Sequence, residues 1–597
     1  MNLPVSANWR SWSVRIAVLL LAGIGAARIV STYSVFSQTT DEPAHLATGM
    51  EWLDRGTYTF EPLHPPLARV AIALGPYLSG LRLTGETHLW EQGNAILFAH
   101  NRYLHNLSLA RLGVLPFFLL ATFLVWYWGR VRYGDGPALV ATLLFTTSPA
   151  VLAHAGLATT DMALTATFTA ALMVFVSWLE RPSYLRSIVL GLAVGLAILS
   201  KFSALVFLPA CGLALIVWRW LLERGPKKSP VATDSFRLSR SLAVAALAML
   251  LVIWAGYRFS ISSVTDAAAR PHPTIDHLFG TSGTLHNWAY SAAESPLIPA
   301  PALFRGLAAL RGKEAMGHKG FLLGQIRLTG WWYFFPVALI VKTTLPFLIL
   351  IGAGIFYLGE SAWLERNWIA GAPVVAALAL LLACMPSHIN IGLRHILPIY
   401  PLLSLIGGIG ACRLWTSDRP KYVGLAVVLI LLAWQVTSSI RAHPDYLAYF
   451  NELAGQHPER ILIDSDLDWG QDLLRLSPAL QQRHVEEVSI AYAGSPDLDL
   501  HQFGLPPFRV LAPYEPTSGW IAISLLRLKM GGLGFPDDGF WWLEAYKPVG
   551  LVGRSIRLYY VPELPRKTTE QQVSKSQSRL AISSSFDANN LSQKYGR

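Results

Sequence analysis

Long apolar stretches, repeated along most of the chain, constrain this sequence more than any other feature. A helix that crosses the hydrocarbon core of a bilayer needs about 20 mostly apolar residues. Such runs lie at residues 14–36, 108–128, 137–153, 162–179, 187–222, 241–259, 331–357, 368–384, 393–412 and 421–440. Of 597 residues, 53% are hydrophobic and only 14% are charged, against about 25% charged in a typical soluble protein. The sequence therefore predicts an integral membrane protein.

The excess of positive charge predicts the topology of these helices. Lys and Arg outnumber Asp and Glu by 48 to 37, and basic residues between membrane helices mark cytoplasmic loops. Arg10 and Arg15 place the N-terminus inside. A cleavable signal peptide with its apolar region at Ile16 to Ala27 is the alternative, but the apolar run resumes beyond Arg28. Basic residues that separate later runs are Arg130, Arg132, Arg181, Arg186, Arg224, Lys227, Lys228, Arg237, Arg240, Arg413, Arg419 and Lys421. This clustering indicates membrane topology rather than nucleic-acid binding.

Two hairpins are predicted among the apolar runs. Residues 187–222 carry basic groups at both ends, so this run must cross an even number of times, with Lys201 near its outer turn. The same reasoning folds 137–179 into a hairpin whose outer turn contains Ala153 to Asp161. The prediction is roughly eleven membrane helices, with the C-terminal region outside.

Residues 1–440 are predicted to form the transmembrane module, with long outer loops at 37–106 and 260–329. Residues 441–566 alternate helix and strand signals and are predicted to fold as an extracytoplasmic α/β domain. Its predicted elements are helices at Tyr446–Leu453 and Gln471–Gln482, and strands at Arg460–Ile463 and near 487–492, 519–525 and 555–561. Residues 567–597 have few large apolar groups and are predicted to be disordered.

No pattern in the sequence requires a metal or a cofactor. The three cysteines lie in apolar stretches and suggest neither a disulfide framework nor a zinc site; they are Cys211, Cys384 and Cys412. A run at Asp464, Asp466 and Asp468 fails as a calcium loop, because Trp469 stands in place of the required Gly and Arg475 in place of the bidentate acid. A divalent metal is possible at this run but not supported. Capping or acceptor recognition are the alternatives.

Ionisable residues collect on the predicted outer side, at the ends of apolar runs. They are Asp41, Glu42, His64, Asp161, Lys201, Lys342, Arg394 and His395. Each cation alone could simply snorkel to the interface, but polar groups beside membrane helices are costly and usually serve a site. Pro43 suits the first helical position, which would make Glu42 the helix cap and place both carboxylates at the positive end of a helix dipole. Two prolines after His64 restrict the backbone there and present the His64 side chain.

This combination of groups suggests a reaction class. An ionised carboxylate at a membrane crevice can take a proton from a hydroxyl, and Lys201, Lys342 and Arg394 could hold a phosphate. Nucleotide sugars are not available outside the cytoplasmic membrane, so an activated sugar must arrive on a lipid phosphate. The residues therefore predict a membrane-embedded transferase with a phosphate leaving group.

The sequence resembles the bacterial polyprenyl-phosphate-dependent glycosyltransferases of the GT-C membrane fold, relatives of the protein O-mannosyltransferases and of the lipid A aminoarabinose transferase. The resemblance extends to about residue 566. The matching motifs are Thr40 to His45, His64 to Leu67, Thr160-Asp161, Leu199 to Lys201, Gly330 to Pro336, Lys342-Thr343, Gly392 to Pro398, Tyr449 to Glu452, Asp464 to Asp472 and Gly553 to Ile556.

The resemblance implies roles for the site residues. Asp41 would be the catalytic base, and Glu42 would assist it or orient the acceptor. Lys201 and Arg394 would bind the lipid phosphate, together with Lys342 and His395, and His64 and Asp161 are further candidates. The activity implied is transfer of a hexosyl or pentosyl group to a lipid, glycan or protein acceptor in the bacterial cytoplasmic membrane. A lipid-linked sugar flippase and a non-catalytic membrane scaffold are the competing hypotheses.

Overall fold

A computed structural model describes residues 7–223, 235–263, 273–294, 297–416, 421–496, 503–531 and 536–562. The chain divides into two compact units, Met1–Asp466 and Leu467–Arg597. Residues 441–466, which the sequence assigns to the C-terminal domain, thus belong to the first unit. The predicted disordered tail at 567–597 lies outside the described residues.

The first unit is almost entirely helical. Its helices are α1 (Ala7–Val30), α2 (Glu42–Asp54), α3 (Pro66–Leu78), α4 (Leu89–Phe98), α5 (Tyr103–Leu112), α6 (Leu115–Tyr133), α7 (Asp135–Thr146), α8 (Pro149–Ala155), α9 (Asp161–Glu180), α10 (Tyr184–Ser200), α11 (Ala204–Glu223), α12 (Ser235–Gly256), α13 (Pro273–Phe279), α14 (Thr284–Glu294), α15 (Pro301–Met316), α16 (Phe334–Lys342), α17 (Leu345–Leu364), α18 (Trp368–Cys384), α19 (Ile399–Thr416) and α20 (Lys421–Arg441). Two short antiparallel pairs join β1 (Ile261–Ser262) to β2 (Ile298–Pro299) and β3 (Gly320–Leu322) to β4 (Gln325–Arg327).

Many of these helices suit a bilayer. Within the described ranges, eight helical stretches are long and apolar enough to cross a membrane, or nine if α7 and α8, bent by 61°, form one span. Shorter apolar helices include α10 and α18. The predicted class, a polytopic α-helical membrane protein, is confirmed. The count of eleven helices and the orientation in the membrane stay predictions.

The apolar run at 187–222 consists of two helices. The Ser183 hydroxyl caps α10 by accepting from Arg186 N at 3.3 Å, and α10 ends where Lys201 turns to extended backbone (φ −162°, ψ 138°). The chain resumes as α11 at Ala204. Helix α9 packs against α10, and this packing brings the first residue of α9 beside Lys201.

The second unit is built on a five-stranded mixed sheet in the order β6-β5-β7-β9-β8. Its elements are α21 (Leu473–Gln481), β5 (Val488–Ala491), β6 (Phe508–Val510), β7 (Gly519–Ser524), α22 (Leu525–Met530), β8 (Gly550–Val552) and β9 (Ile556–Val561). Strand β5 is parallel to β6 and β7, and β9 is antiparallel to β7 and β8. The predicted α/β character and the three strands predicted beyond residue 480 are confirmed.

Two local predictions in this region are wrong. Residues 460–463, predicted as a strand, follow a 3-10 turn, and Leu462 N donates to Pro458 O at 3.2 Å within the same segment. Residues 446–453, predicted as a helix, form turns. The side-chain amide of Asn451 holds this segment by donating from Nδ2 to Ile340 O and Thr343 O at 2.6 and 2.7 Å. A local hydrogen-bonded turn replaces the strand in the first case, and tertiary hydrogen bonds override the helix pattern in the second.

Candidate active site

Four of the predicted site residues form one continuous ionic cluster in the first unit. The Arg394 guanidinium donates to Asp41 Oδ2 at 2.8 Å and lies 3.9 Å from Asp161 Oδ2. The Lys201 ammonium donates to the other oxygen of Asp161 at 2.7 Å. The Asp41 side chain is 28% exposed, whereas those of the other three are between 1% and 11% exposed. We call these four residues the ionic cluster, and Asp41 is its accessible member.

Helix ends position three of these side chains and match their charges. Asp41 occupies the N-cap of α2, with Pro43 in the first turn, so Asp41 rather than the predicted Glu42 is the cap. Asp161 is the first residue of α9, and Lys201 is the C-cap of α10. Helix dipoles favour anions at N-termini and cations at C-termini. Each of the three charges therefore sits at the helix end that stabilises it.

Arg394 controls the protonation of Asp41. Burial raises the pKa of the Asp41 carboxyl, but the charge and the hydrogen bond of Arg394 outweigh burial and hold that pKa below its ordinary value. Asp41 is therefore ionised at neutral pH, as its predicted role as a base requires. Burial would lower the pKa of Arg394, yet Asp41 and Asp161 raise it, so the guanidinium remains charged.

Glu42 is a buried anchor with a full set of donors. Its carboxylate accepts from Arg111 Nε and Nη2 at 2.8 and 2.9 Å, from Ala158 N at 2.8 Å and from Thr39 N at 2.7 Å. The Glu42 side chain is 1% exposed and that of Arg111 is 0% exposed. Glu42 thereby ties the start of α2 to α5 and to the loop before α9. Its predicted role, to assist or orient the acceptor, stays a prediction, and the geometry favours a role in positioning Asp41.

Both predicted histidines lie close to the ionic cluster. Burial, helped by the charge of Lys201, lowers the pKa of His64 to about 3, so His64 is neutral. Its ring meets His45 edge-on at 5.1 Å between centroids. Nε2 of His395 is buried and has no hydrogen-bond partner among the described residues. His395 therefore has a polar atom left for a ligand.

Lys342 makes a different set of contacts from the ionic cluster. Its ammonium donates to Leu447 O at 2.7 Å and to Asp466 O at 2.6 Å, and it lies 4.2 Å from the centre of the Phe450 ring. The Lys342 ammonium therefore hydrogen-bonds to both ends of the segment 447–466. Its predicted phosphate role stays a prediction, and the geometry favours an anchoring role.

Three further residues lie near the ionic cluster: Lys313 and His154, which the sequence analysis does not single out, and Asp464 of the acidic run. The charge of Lys313, on α15, acts on Asp41 and Arg394. The charge of Arg394 also acts on Asp464. Nδ1 of His154, in α8, is buried and finds no hydrogen-bond partner within the described ranges. A lone histidine in an apolar helix was a usable signal for His154, but Lys313 sits in a mixed polar stretch that offers none.

The three aspartates of the acidic run point to different partners. Asp464 Oδ1 accepts from its neighbour Ser465 N at 2.7 Å, and Asp466 Oδ1 accepts from Leu393 N at 3.0 Å. In the second unit, Asp468 Oδ2 accepts from Leu526 N at 2.7 Å. Over the part of the chain that the structure describes, no three His, Cys, Asp or Glu residues are grouped as metal ligands. The three carboxylates therefore accept hydrogen bonds from three different backbone N–H groups, those of Ser465, Leu393 and Leu526.

Substitution of Gly392 by alanine is expected to displace Arg394. A Cβ at residue 392 would overlap Ser465 Oγ, which is fixed by its bond to Ile391 O at 2.6 Å. Overpacking of this kind costs about 1–3 kcal/mol. Thermal unfolding in detergent should report that loss, whereas Gly352→Ala, where an added Cβ meets nothing within 4 Å, should leave stability within about 0.5 kcal/mol. Equal stability of the two variants would contradict the tight contact.

The chain is similar to known proteins in both sequence and fold. Residues 105–233, which include Asp161 and Lys201, match the family model for dolichyl-phosphate-mannose-protein mannosyltransferase. The S. cerevisiae protein O-mannosyltransferase Pmt1-Pmt2 complex bound to the sugar donor superimposes with a TM-score of 0.51 at 12% identity, covering 72% of this chain and 90% of that chain. The predicted GT-C-like membrane fold is confirmed. At this identity the superposition establishes the GT-C fold, and activity has to be argued from the site.

Two further solved structures match over more of the chain but less closely. ArnT from Cupriavidus metallidurans bound to undecaprenyl phosphate gives a TM-score of 0.45 at 13% identity, covering 91% of this chain and 97% of that chain. The archaeal oligosaccharyltransferase AglB from Archaeoglobus fulgidus gives 0.46 at 10% identity, covering 91% and 73%. A comparison with curated protein sequences finds no match.

Proposed function

We propose that this GT-C protein transfers a glycosyl group from a polyprenyl-phosphate-linked sugar to an acceptor hydroxyl at the outer face of the bacterial cytoplasmic membrane. The observation that carries the proposal is the ionic cluster, in which an accessible carboxylate, Asp41, lies 2.8 Å from Arg394. Arg394 in turn reaches the Asp161–Lys201 pair. A base and two cations therefore meet in a space that one sugar phosphate could contact.

In the proposed reaction, the acceptor oxygen attacks the anomeric carbon while Asp41 takes the proton of the acceptor hydroxyl. The bond between the anomeric carbon and the phosphate oxygen breaks, and its electron pair stays on polyprenyl phosphate. Arg394 and Lys201 stabilise the negative charge on that leaving group. A single displacement of this kind inverts the configuration at the anomeric carbon.

Exposure separates the three acidic candidates. The Asp41 side chain is 28% exposed, while those of Asp161 and Glu42 are each 1% exposed. Asp161 keeps Lys201 in place, and the Glu42 carboxylate accepts five hydrogen bonds from within the protein. Asp41 is thus the carboxylate that an acceptor could reach, which supports its assignment as the base.

A lipid phosphate as the leaving group is supported by the sequence match. The family whose model matches residues 105–233 is described by a dolichyl-phosphate-linked sugar, and that match contains Lys201. Apolar helices around the ionic cluster would accommodate a prenyl chain, since it needs no polar partner. We place the C-terminal unit outside the cytoplasm.

Glycosyl transfer can be tested directly with the purified full-length protein in lipid nanodiscs. Incubation with polyprenyl-phosphate sugars and an envelope lipid extract should release free polyprenyl phosphate and form a glycosylated product, both detectable by mass spectrometry. If sealed vesicles carrying the protein instead move the intact donor across the bilayer without covalent transfer, the flippase hypothesis replaces this one. If the protein shows neither covalent transfer nor transport of the donor, the scaffold hypothesis is favoured.

A further inference from the structure

His45 lies one helical turn beyond Asp41 on α2. Its backbone N–H donates to Asp41 O at 3.1 Å, which is the ordinary hydrogen bond between residues four apart in an α-helix. Side chains at this spacing lie on the same face of a helix, with about 5–6 Å between their Cβ atoms. The imidazole of His45 therefore lies beside the proposed base, at a distance that one sugar residue spans.

The guanidinium of Arg69 fixes the tautomer of His45. Arg69 Nε donates to His45 Nδ1 at 3.1 Å. A guanidinium has N–H donors and no acceptor, so Nδ1 of His45 accepts this hydrogen bond and carries no proton. A neutral imidazole keeps a proton on one of its two nitrogens, and in His45 that nitrogen is Nε2. Because the two nitrogens of the ring point in different directions, Nε2 points away from Arg69.

Arg69 is held in this position by several groups besides His45. Its Nη1 donates to Glu61 O at 2.6 Å and to the Tyr58 hydroxyl at 3.2 Å, and its Nη2 forms an ion pair with the Glu61 carboxylate. Arginine stays charged in proteins. Burial, helped by the charge of Arg69, holds the pKa of His45 well below its ordinary value. His45 is therefore neutral, with its single ring proton on Nε2.

Nε2 of His45 has a hydrogen to donate and no partner. His45 is 3% exposed, and its Nε2 makes no hydrogen bond to the residues that the structure describes. Buried polar groups normally find a partner, so this N–H points to a ligand. The His64 ring meets the His45 ring edge-on at 5.1 Å between centroids, and the side chains of Asp41 and His64 are 28% and 27% exposed. His45 thus adjoins two side chains that a ligand can reach.

We propose that the Nε2–H of His45 donates a hydrogen bond to a hydroxyl oxygen of the sugar carried by the lipid donor, and that Arg69 sets the tautomer that this requires. The inference rests on the glycosyl transfer proposed above and names the group that recognises the sugar. An uncharged N–H suits a neutral hydroxyl, whereas the charges of Arg394 and Lys201 suit the phosphate. His45 binds the substrate, and Arg69 is a positioning residue that acts through His45.

Asparagine and glutamine separate the roles of the two ring nitrogens. The side-chain amide of Asn lies near the position of Nδ1 in His, and that of Gln lies near the position of Nε2. His45→Asn therefore keeps an acceptor for Arg69 and loses the donor to the sugar. It should lower kcat/KM for the lipid-linked donor about tenfold, as expected for the loss of one hydrogen bond to the substrate, with an unchanged midpoint of thermal unfolding.

His45→Gln should give the opposite pattern. It keeps a donor near the position of Nε2, so kcat/KM should stay within about threefold of the wild-type value. It removes the buried acceptor of Arg69 Nε, so the protein should unfold at a lower temperature. His105→Asn is a matched control, since His105 is an exposed histidine on α5. This control should change kcat/KM by less than about twofold.

Two probes distinguish the sugar from the phosphate as the partner of His45. Polyprenyl phosphate without a sugar should bind equally well to wild type and to His45→Asn in nanodiscs. The second probe is the polyprenyl-phosphate sugar that wild type transfers, beginning with mannose, together with its monodeoxy analogues. The analogue that lacks the contacted hydroxyl should give wild type and His45→Asn the same kcat/KM, because neither protein can form the hydrogen bond. Weaker binding of bare polyprenyl phosphate to His45→Asn would overturn the proposal in favour of a phosphate contact.

NMR spectra of protein with isotopically labelled histidine nitrogens supply a readout without activity. The resonances that disappear in His45→Asn should report an unprotonated Nδ1 and a protonated Nε2. They should not change between about pH 6 and pH 8, a range in which an ordinary histidine titrates. A protonated Nδ1 in wild type would overturn the role assigned to Arg69.

The outcomes separate this inference from the underlying function. If wild type transfers sugar and His45→Asn is equally active, recognition by His45 is wrong while the proposed function stands. If His45→Gln is less active than His45→Asn, the role of His45 is structural and the inference is again overturned. If wild type transfers no sugar from any polyprenyl-phosphate donor, the proposed function fails and the sugar contact fails with it, and the NMR spectra still decide the tautomer.

Discussion

Replacement of Asp41 by asparagine is expected to lower the rate of glycosyl transfer by about 10²- to 10⁴-fold, the range that general-base catalysis contributes. Asparagine keeps the shape of the side chain and can still accept a hydrogen bond from Arg394, which now makes a 2.8 Å contact with Asp41 Oδ2. It cannot take up the acceptor proton. The measurement is single-turnover release of polyprenyl phosphate at saturating donor.

The matched control for this prediction is Asp135→Asn. Asp135 also lies at a helix N-terminus and pairs with an arginine, Arg130, at 3.0 Å, but its side chain is 42% exposed. Its replacement should change the transfer rate by less than about twofold, because exposed ion pairs contribute little. A wild-type rate in Asp41→Asn, with the control equally active, would remove Asp41 from the chemistry and require another base.

Replacement of Arg111 by methionine is expected to destabilise the protein by about 3–5 kcal/mol, as removal of one partner from a buried ion pair does. The change would leave the Glu42 carboxylate buried without its cation. It would also remove donors to Phe36 O and Ser37 O, which Arg111 contacts at 3.0 and 2.8 Å. Thermal and denaturant unfolding in detergent would show the loss.

Arg130→Met provides the comparison for this second prediction. Arg130 and Asp135 form an ion pair at 3.0 Å with side chains 32% and 42% exposed, so its loss should cost no more than about 1 kcal/mol. Similar unfolding midpoints for the two variants would show that the Arg111–Glu42 pair is not the anchor inferred from its burial. A transfer rate that falls together with stability in Arg111→Met would fit the positioning role of Glu42.

Much of the membrane unit could be predicted from local patterns. An apolar segment in lipid must satisfy its own backbone hydrogen bonds, and a helix does this within the segment. The helix boundaries near Asp161 and Lys201 follow, because charged residues interrupt the apolar runs there. Motifs predict Asp41 and Arg394 as site candidates, since Pro43 marks a helix start and the acidic pair resembles a motif of GT-C glycosyltransferases.

The partners of these residues could not be predicted in the same way. Glu42 was expected to assist the acceptor, but Arg111, 69 positions later, buries it. The sequence predicts that Lys342 binds phosphate, but it does not predict that the Lys342 ammonium donates hydrogen bonds to the carbonyls of Leu447 and Asp466. Nothing local in the sequence distinguishes a lysine that binds carbonyls from one that binds a ligand.

Residue order along the chain was thus enough to establish the class of protein, the helical membrane unit and the positions where charge interrupts apolar helices. These properties depend on hydropathy and helix-end chemistry, which act over a few residues. Which charges meet and which carboxylate stays accessible depend on packing between segments that are far apart in the sequence, as Asp41 and Arg394 are. Electrostatic interactions fall off with distance and change with burial, so these properties become definite only once the helices have packed.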